Sequence, residues 1–116
     1  MDHFLKPRNA GSIAAPSGRG EATNEACGDT AVITIKVADG RLAEVRFVSQ
    51  SCAGGIASCS AATEWATGRK VDEALALDAD AVAELLGGLP DAKLGCAEMA
   101  ASALRRAVER AVESLP

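Results

Sequence analysis

The chain has 116 residues, a net charge of −4 at pH 7 and a sequence pI near 4.9, a length that fits one domain. It is 48% apolar, yet 25 of its residues are alanine and only 3% are aromatic, so the core is thin and a staple (disulfides, a metal or a partner) is expected. The acidic balance, with no Lys/Arg run longer than two, excludes a basic nucleic-acid-binding face, and no stretch reaches the roughly 18 apolar residues of a membrane span.

Residues 1–6 suit one helical turn closed by Pro7, and the Gly/Ser/Pro/Asn-rich stretch from Asn9 to Glu25 reads as a mobile lead-in with a short edge strand near Glu21–Asn24. Thr30 to Val37 is a β-branched run that places Ile33, Ile35 and Val37 on one face. Asp39-Gly40 signals a tight hairpin, and Arg41 to Val48 returns with Ala43, Val45 and Phe47 on one side and Glu44 and Arg46 on the other. The period then changes. Ile56 to Ala66 suits a helix of small residues stopped by Gly68, with Trp65 as its core anchor. Lys70–Leu77 and Asp78–Leu86 read as short helices, the second with Asp78 as N-cap and Gly87 behind it. A last helix runs from about Ala92 to Ser114, with Cys96, Ala100, Ala103/Leu104, Ala107/Val108 and Ala111/Val112 on one face. Strands first and helices after predict an α+β domain: a small antiparallel three-stranded sheet with helices packed on one face, and residues 1–25 as a flexible N-terminal segment of the single domain 1–116.

Four cysteines stand at 27, 52, 59 and 96, and no pair has C-x-x-C spacing. The N-terminus lacks the charged-then-apolar pattern of an export signal. A reducing cytoplasmic setting is therefore expected, in which cysteines serve as metal ligands, nucleophiles or plain buried residues rather than disulfides. Spacing alone does not choose among these roles. Local context adds that Cys27 is followed by Gly28 and Asp29, that Cys52 lies in a Ser/Gly-rich loop opening into a helix, and that Cys96 falls in the first turns of the last helix. Helix starts favour thiolate, the form that binds metal or accepts sulfur. Cys59 lies more than a turn inside its helix, ~10.5 Å along the axis from a helically continued Cys52, and reads as a small buried residue outside any shared site.

The ordered segments Asp2-His3-Phe4, Pro7-Arg8-Asn9-Ala10-Gly11, Ala26-Cys27-Gly28-Asp29, Ser51-Cys52-Ala53-Gly54-Gly55-Ile56-Ala57-Ser58, Thr63-Glu64-Trp65 and Gly88-Leu89-Pro90-Asp91-Ala92-Lys93-Leu94-Gly95-Cys96 resemble the iron–sulfur cluster scaffold family of IscU and the NifU N-terminal domain over nearly the whole chain. The resemblance implies that Cys27, Cys52 and Cys96 hold a nascent cluster, of 2Fe-2S type and transient, or a zinc ion. Asp29 would be the fourth, harder donor that keeps the cargo labile. It also implies a non-enzymatic role, sulfur from a cysteine desulfurase, apo iron–sulfur proteins as recipients, and a monomer that remains so or dimerises on loading.

The chain departs from the family pattern at identifiable places. Gly95 stands where the family commonly has His, Ser51 where it has Gly, and Cys59 where it has Ser. Leu89-Pro90-Asp91-Ala92-Lys93 differs from the family's chaperone-recognition segment, which puts an Hsp70-type chaperone in doubt as a partner. The other function consistent with three thiols and one carboxylate, with no imidazole, is a zinc-bound persulfide acceptor for a cysteine desulfurase. His3, the sole histidine, reads as a structural or surface residue.

Overall fold

In the computed structural model of the protein, residues 9–24, 28–50, 53–89 and 94–113 are described. Strands β1 (Gly18–Asn24), β2 (Asp29–Ala38) and β3 (Arg41–Gln50) form one antiparallel sheet in the order β1-β2-β3. Among the described residues, helices α1 (Ala53–Ala66), α2 (Val71–Ala74), α3 (Ala79–Leu85) and α4 (Leu94–Glu113) follow. The α+β class and the strands-then-helices order agree with the sequence.

Asp39 and Gly40 both take positive φ, 55° and 74°, the backbone that a two-residue hairpin turn needs to match strand twist. Ala38 pairs with Arg41 across that turn. The register then slips: Lys36 faces Glu44 while Val37 faces Leu42, so Ala43 is the extra residue of a β-bulge. The slip changes which side chains face inward. Leu42, Val45 and Phe47 are buried and Ala43 is exposed, which corrects the expected face of Ala43, Val45 and Phe47. Opposite the bulge, Val37 is half-buried whereas Ile33 and Ile35 are fully inside.

The N-terminal stretch expected as a mobile lead-in is tied down from Asn9 onward. Gly11 N–H donates to the Phe47 carbonyl at 2.8 Å and Phe47 N–H to the Asn9 carbonyl at 2.9 Å, so residues 9–11 line the free edge of β3. The chain then crosses the sheet to begin β1 at the far edge. Ile13 N–H donates to Thr34 Oγ1 (3.1 Å), Lys36 Nζ to the Ala15 carbonyl (3.0 Å), and Ser17 N–H to the Ile35 carbonyl (2.8 Å). These bonds explain why Thr34, on the face away from the helices, is only 5% exposed. The edge strand also starts at Gly18, three residues before the expected Glu21. Residues 1–8 lie outside the described residues.

All four helices collect on the other face, with α4 against β1 and β2, α1 against β3 and α4, and α3 against α4. Contact is close because small residues meet small residues. Gly18 and Gly20 of β1 lie on Ala103, Ala107 and Ala111 of α4, and a Cβ at Gly20 would run into the Ala103 carbonyl oxygen and the Ala107 amide nitrogen. The alanine richness is therefore a packing device, which lets a helix backbone rest almost directly on a strand.

Shorter features fix the helix ends. Asp78 caps α3, its Oδ1 accepting from Ala81 N–H at 2.9 Å, and Gly87 and Gly88 close it with positive φ. Glu73 Oε1 accepts from Lys70 N–H at the start of α2, which is four residues long rather than the eight expected from Lys70–Leu77. Gly68 ends α1 as expected. Trp65 is half-buried at the core margin and capped by the Arg69 guanidinium 4.2 Å above its ring, so it is a margin residue rather than a central anchor.

Candidate metal centre

Of the four candidate ligands Cys27, Asp29, Cys52 and Cys96, the structure places Asp29 and Cys96; Cys27 and Cys52 lie outside the described residues. Asp29 opens β2 directly after Gly28, whose φ of 70° turns the chain into the strand. Its side chain is sequestered, with the residue 9% exposed and Oδ2 buried without a hydrogen-bond partner among the described residues. A buried carboxylate oxygen left unsatisfied is costly. Such an atom suits a cation, which would replace the missing donors.

Cys96 is the third residue of α4 and is fully buried. The dipole of a 20-residue helix favours negative charge at its start. One residue lies between the two candidates. Asn24, the last residue of β1, is the ladder partner of Asp29, and its Nδ2 lies 4.0 Å from Cys96 Sγ. The residue before Cys96 makes room for it: a Cβ on Gly95 would lie 2.9 Å from Asn24 Nδ2, 3.2 Å from Oδ1 and 3.3 Å from Cγ. Asn24 is a neighbour of both candidates that sequence reasoning missed. Nothing in a Thr-Asn-Glu tripeptide signals a contact with a residue 72 positions away.

Cys59 is buried, as the sequence suggested, but it does not stand apart from the candidate ligands. Burial pushes its thiol up from the ordinary 9.0 to about 12, a hydrogen bond with Ser49 offsets part of this, and the neighbouring Cys96 adds to the rise. Burial therefore disfavours its thiolate, the form that ligates metal. Spacing from Cys52 along one helix could not reveal this neighbourhood, because α1 and α4 bring Cys59 and Cys96 together by packing.

Among the described residues no three His, Cys, Asp or Glu side chains cluster closely enough to hold a metal ion. An apolar recess of about 280 Å³ between the N-terminal stretch, β3 and α1 is lined by Ala10, Gly11, Phe47, Val48, Ser49 and Ile56. Among the described residues it is lined by no thiol, imidazole or carboxylate. No helix among the described residues is long and apolar enough to cross a membrane.

A family model described as the NifU-like N terminal domain matches residues 1–113. The iron–sulfur cluster assembly scaffold protein IscU 1 of Archaeoglobus fulgidus is 50% identical over 108 residues, covering 93% of this chain and 71% of that protein. The scaffold protein IscU of Escherichia coli is 38% identical over 112 residues, covering 93% and 87%. The fold is shared with the crystal structure of a NifU-like protein (N-terminal) from Brucella abortus, at TM-score 0.76, 18% identity and coverage of 99% and 92%.

Proposed function

This chain belongs to the NifU-like N-terminal domain family, and from that premise we propose that it is an iron–sulfur cluster assembly scaffold, as its relatives are named. Iron and sulfide are its substrates, assembled as a transient 2Fe-2S unit on Cys27, Asp29, Cys52 and Cys96 and then handed on. The role is to hold and release rather than to catalyse. A cysteine desulfurase supplies the sulfur, and apo iron–sulfur proteins in the cytoplasm receive the cluster.

The observation that carries this is the buried Oδ2 of Asp29, without a partner among the described residues, on a residue whose ladder partner Asn24 sets its side chain against the Cys96 sulfur at the start of α4. Thiolates hold iron firmly, whereas a carboxylate is a harder and weaker donor for a thiophilic centre. A mixed set therefore retains cargo without locking it in. Cys27 stands two residues before Asp29, and Cys52 two residues after Gln50, the end of β3. Anaerobic reconstitution with ferric iron and sulfide tests the assignment. Visible thiolate-to-iron absorption should appear, and single replacements Cys27→Ala, Cys52→Ala and Cys96→Ala should each abolish it. Colour unaffected by Cys96→Ala would refute the ligand set.

Three thiols and one carboxylate also complete a tetrahedral zinc site, and Gly95 leaves no imidazole at Cys96. In that second function zinc holds the site while one cysteine takes persulfide from the desulfurase. Stoichiometric zinc in the purified protein, with stimulation of a desulfurase and no transferable sulfide, would favour it.

A further inference from the structure

The pairing of Asn24 with Gly95 carries a consequence for Cys96. Asn24 is half-buried at the end of β1, and three atoms of its side chain, Nδ2, Oδ1 and Cγ, fill the space that any side chain at position 95 would need. From that seat its N–H group faces Cys96 Sγ at 4.0 Å, at the long end for an N–H to sulfur contact. A sulfur that gains negative charge on ligating metal is a stronger acceptor than a thiol.

We propose that Asn24 is a positioning residue for Cys96: its carboxamide, lodged against Gly95, orients the Cys96 sulfur and donates a hydrogen bond to it once metal is bound. The proposal rests on Cys96 being a ligand, as argued above. Gly95 is then part of the arrangement, since its lack of a side chain lets a strand residue reach a sulfur on a helix. Donors that hold a ligand in place typically change metal affinity 10- to 100-fold.

The experiment compares the wild-type chain with Asn24→Ala, Asn24→Asp, Gly95→Ala and the Asn24→Ala/Gly95→Ala double variant. Co²⁺ is the probe, read by the sulfur-to-cobalt charge-transfer band and by affinity in competition with a chelator. Each single variant should move the band to lower energy and weaken Co²⁺ binding about 10-fold. Asn24→Asp keeps the shape but puts an acceptor and a negative charge where the N–H donor stood, so its effect reports the polarity of the contact rather than packing. Gly95→Ala displaces the carboxamide while keeping Asn24, and should leave the metal-free melting midpoint unchanged or raised, because Ala favours helix over Gly. The double variant should show no further loss. A wild-type band and affinity in Asn24→Ala, or a shift there that Gly95→Ala does not reproduce, would overturn the proposal alone. Absence of any thiolate charge-transfer band in the wild type would overturn it together with the ligand assignment for Cys96.

Discussion

Gly20 is where the alanine-rich architecture is most exposed to test. Replacing it with Ala builds a Cβ into the Ala103 carbonyl oxygen and the Ala107 amide nitrogen, and within 3.0 Å of the Arg106 carbonyl carbon. All three are backbone atoms of one helix, so no rotamer change relieves the contact and α4 must move off the sheet. Overpacking of a tight interface costs about 1–3 kcal/mol, and a clash with backbone belongs at the upper end. Against this, Gly→Ala in a strand restricts the unfolded chain, which stabilises by roughly 0.4–1 kcal/mol. The net loss is about 2 kcal/mol. For a chain of this size each kcal/mol moves Tm by roughly 3–5 °C, so a drop of about 6–10 °C is expected by differential scanning calorimetry. Glu21→Ala, one residue on, removes only an exposed pair with Arg19 and should cost under about 0.5 kcal/mol. Because Cys96 rides on α4, Gly20→Ala should also weaken metal binding. A Tm for Gly20→Ala within about 1 °C of wild type would refute the close-packing argument.

Three other outcomes follow from particular groups. Below pH 9 the Cys59 thiol is protonated in both folded and unfolded chains; above it the unfolded thiol ionises while the folded one keeps its proton to about 12. Stability should therefore fall by about 1.4 kcal/mol per pH unit in that window, and Cys59→Ala should lack this share when urea midpoints at about pH 8 and about pH 10.5 are compared; equal slopes would contradict the burial argument. Asp29→Asn replaces the buried carboxylate oxygen, unpartnered among the described residues, with a neutral amide group that costs less to bury. It should raise the melting midpoint of the metal-free protein, by about 1 kcal/mol in stability, while shrinking the rise that Zn²⁺ produces, whereas a lower metal-free midpoint would count against an unsatisfied Oδ2. Asp78→Ala deletes the 2.9 Å cap of α3 and should cost about 1 kcal/mol in chemical denaturation, with metal binding unchanged.

Local pattern revealed the elements whose signals are local. The Asp39-Gly40 turn, the alternation of β2, the Asp78 cap and the amphipathic α4 all appear where the sequence put them. The errors arise where a distant element decides. Nothing in Leu-Ala-Glu marks Ala43 as a bulge residue, because the slip is a property of two strands in register. Residues 9–17 look like a tail because their partners (Phe47, Thr34 and Ile35) are supplied by strands still to come. The thin core was visible in composition, but its resolution was not. Alanine and glycine reduce the area buried per residue, and they also let α4 and β1 approach until backbone meets backbone. At the site, cysteine contexts pointed to Asp29 and Cys96, whereas Asn24 and the nearness of Cys59 depend on how β1, α1 and α4 converge. A staple at this convergence would add stability by mass action, about 2.7 kcal/mol at a ligand concentration 100 times Kd.

Quantifying iron and acid-labile sulfide on the protein purified without oxygen, followed by mixing with an apo iron–sulfur recipient, tests the scaffold function. The scaffold function predicts iron and sulfide in equal amounts, lost in Cys96→Ala and moved to the recipient on mixing. Protein that carries neither iron nor sulfide after anaerobic reconstitution, or holds a cluster that no recipient can remove, would contradict it.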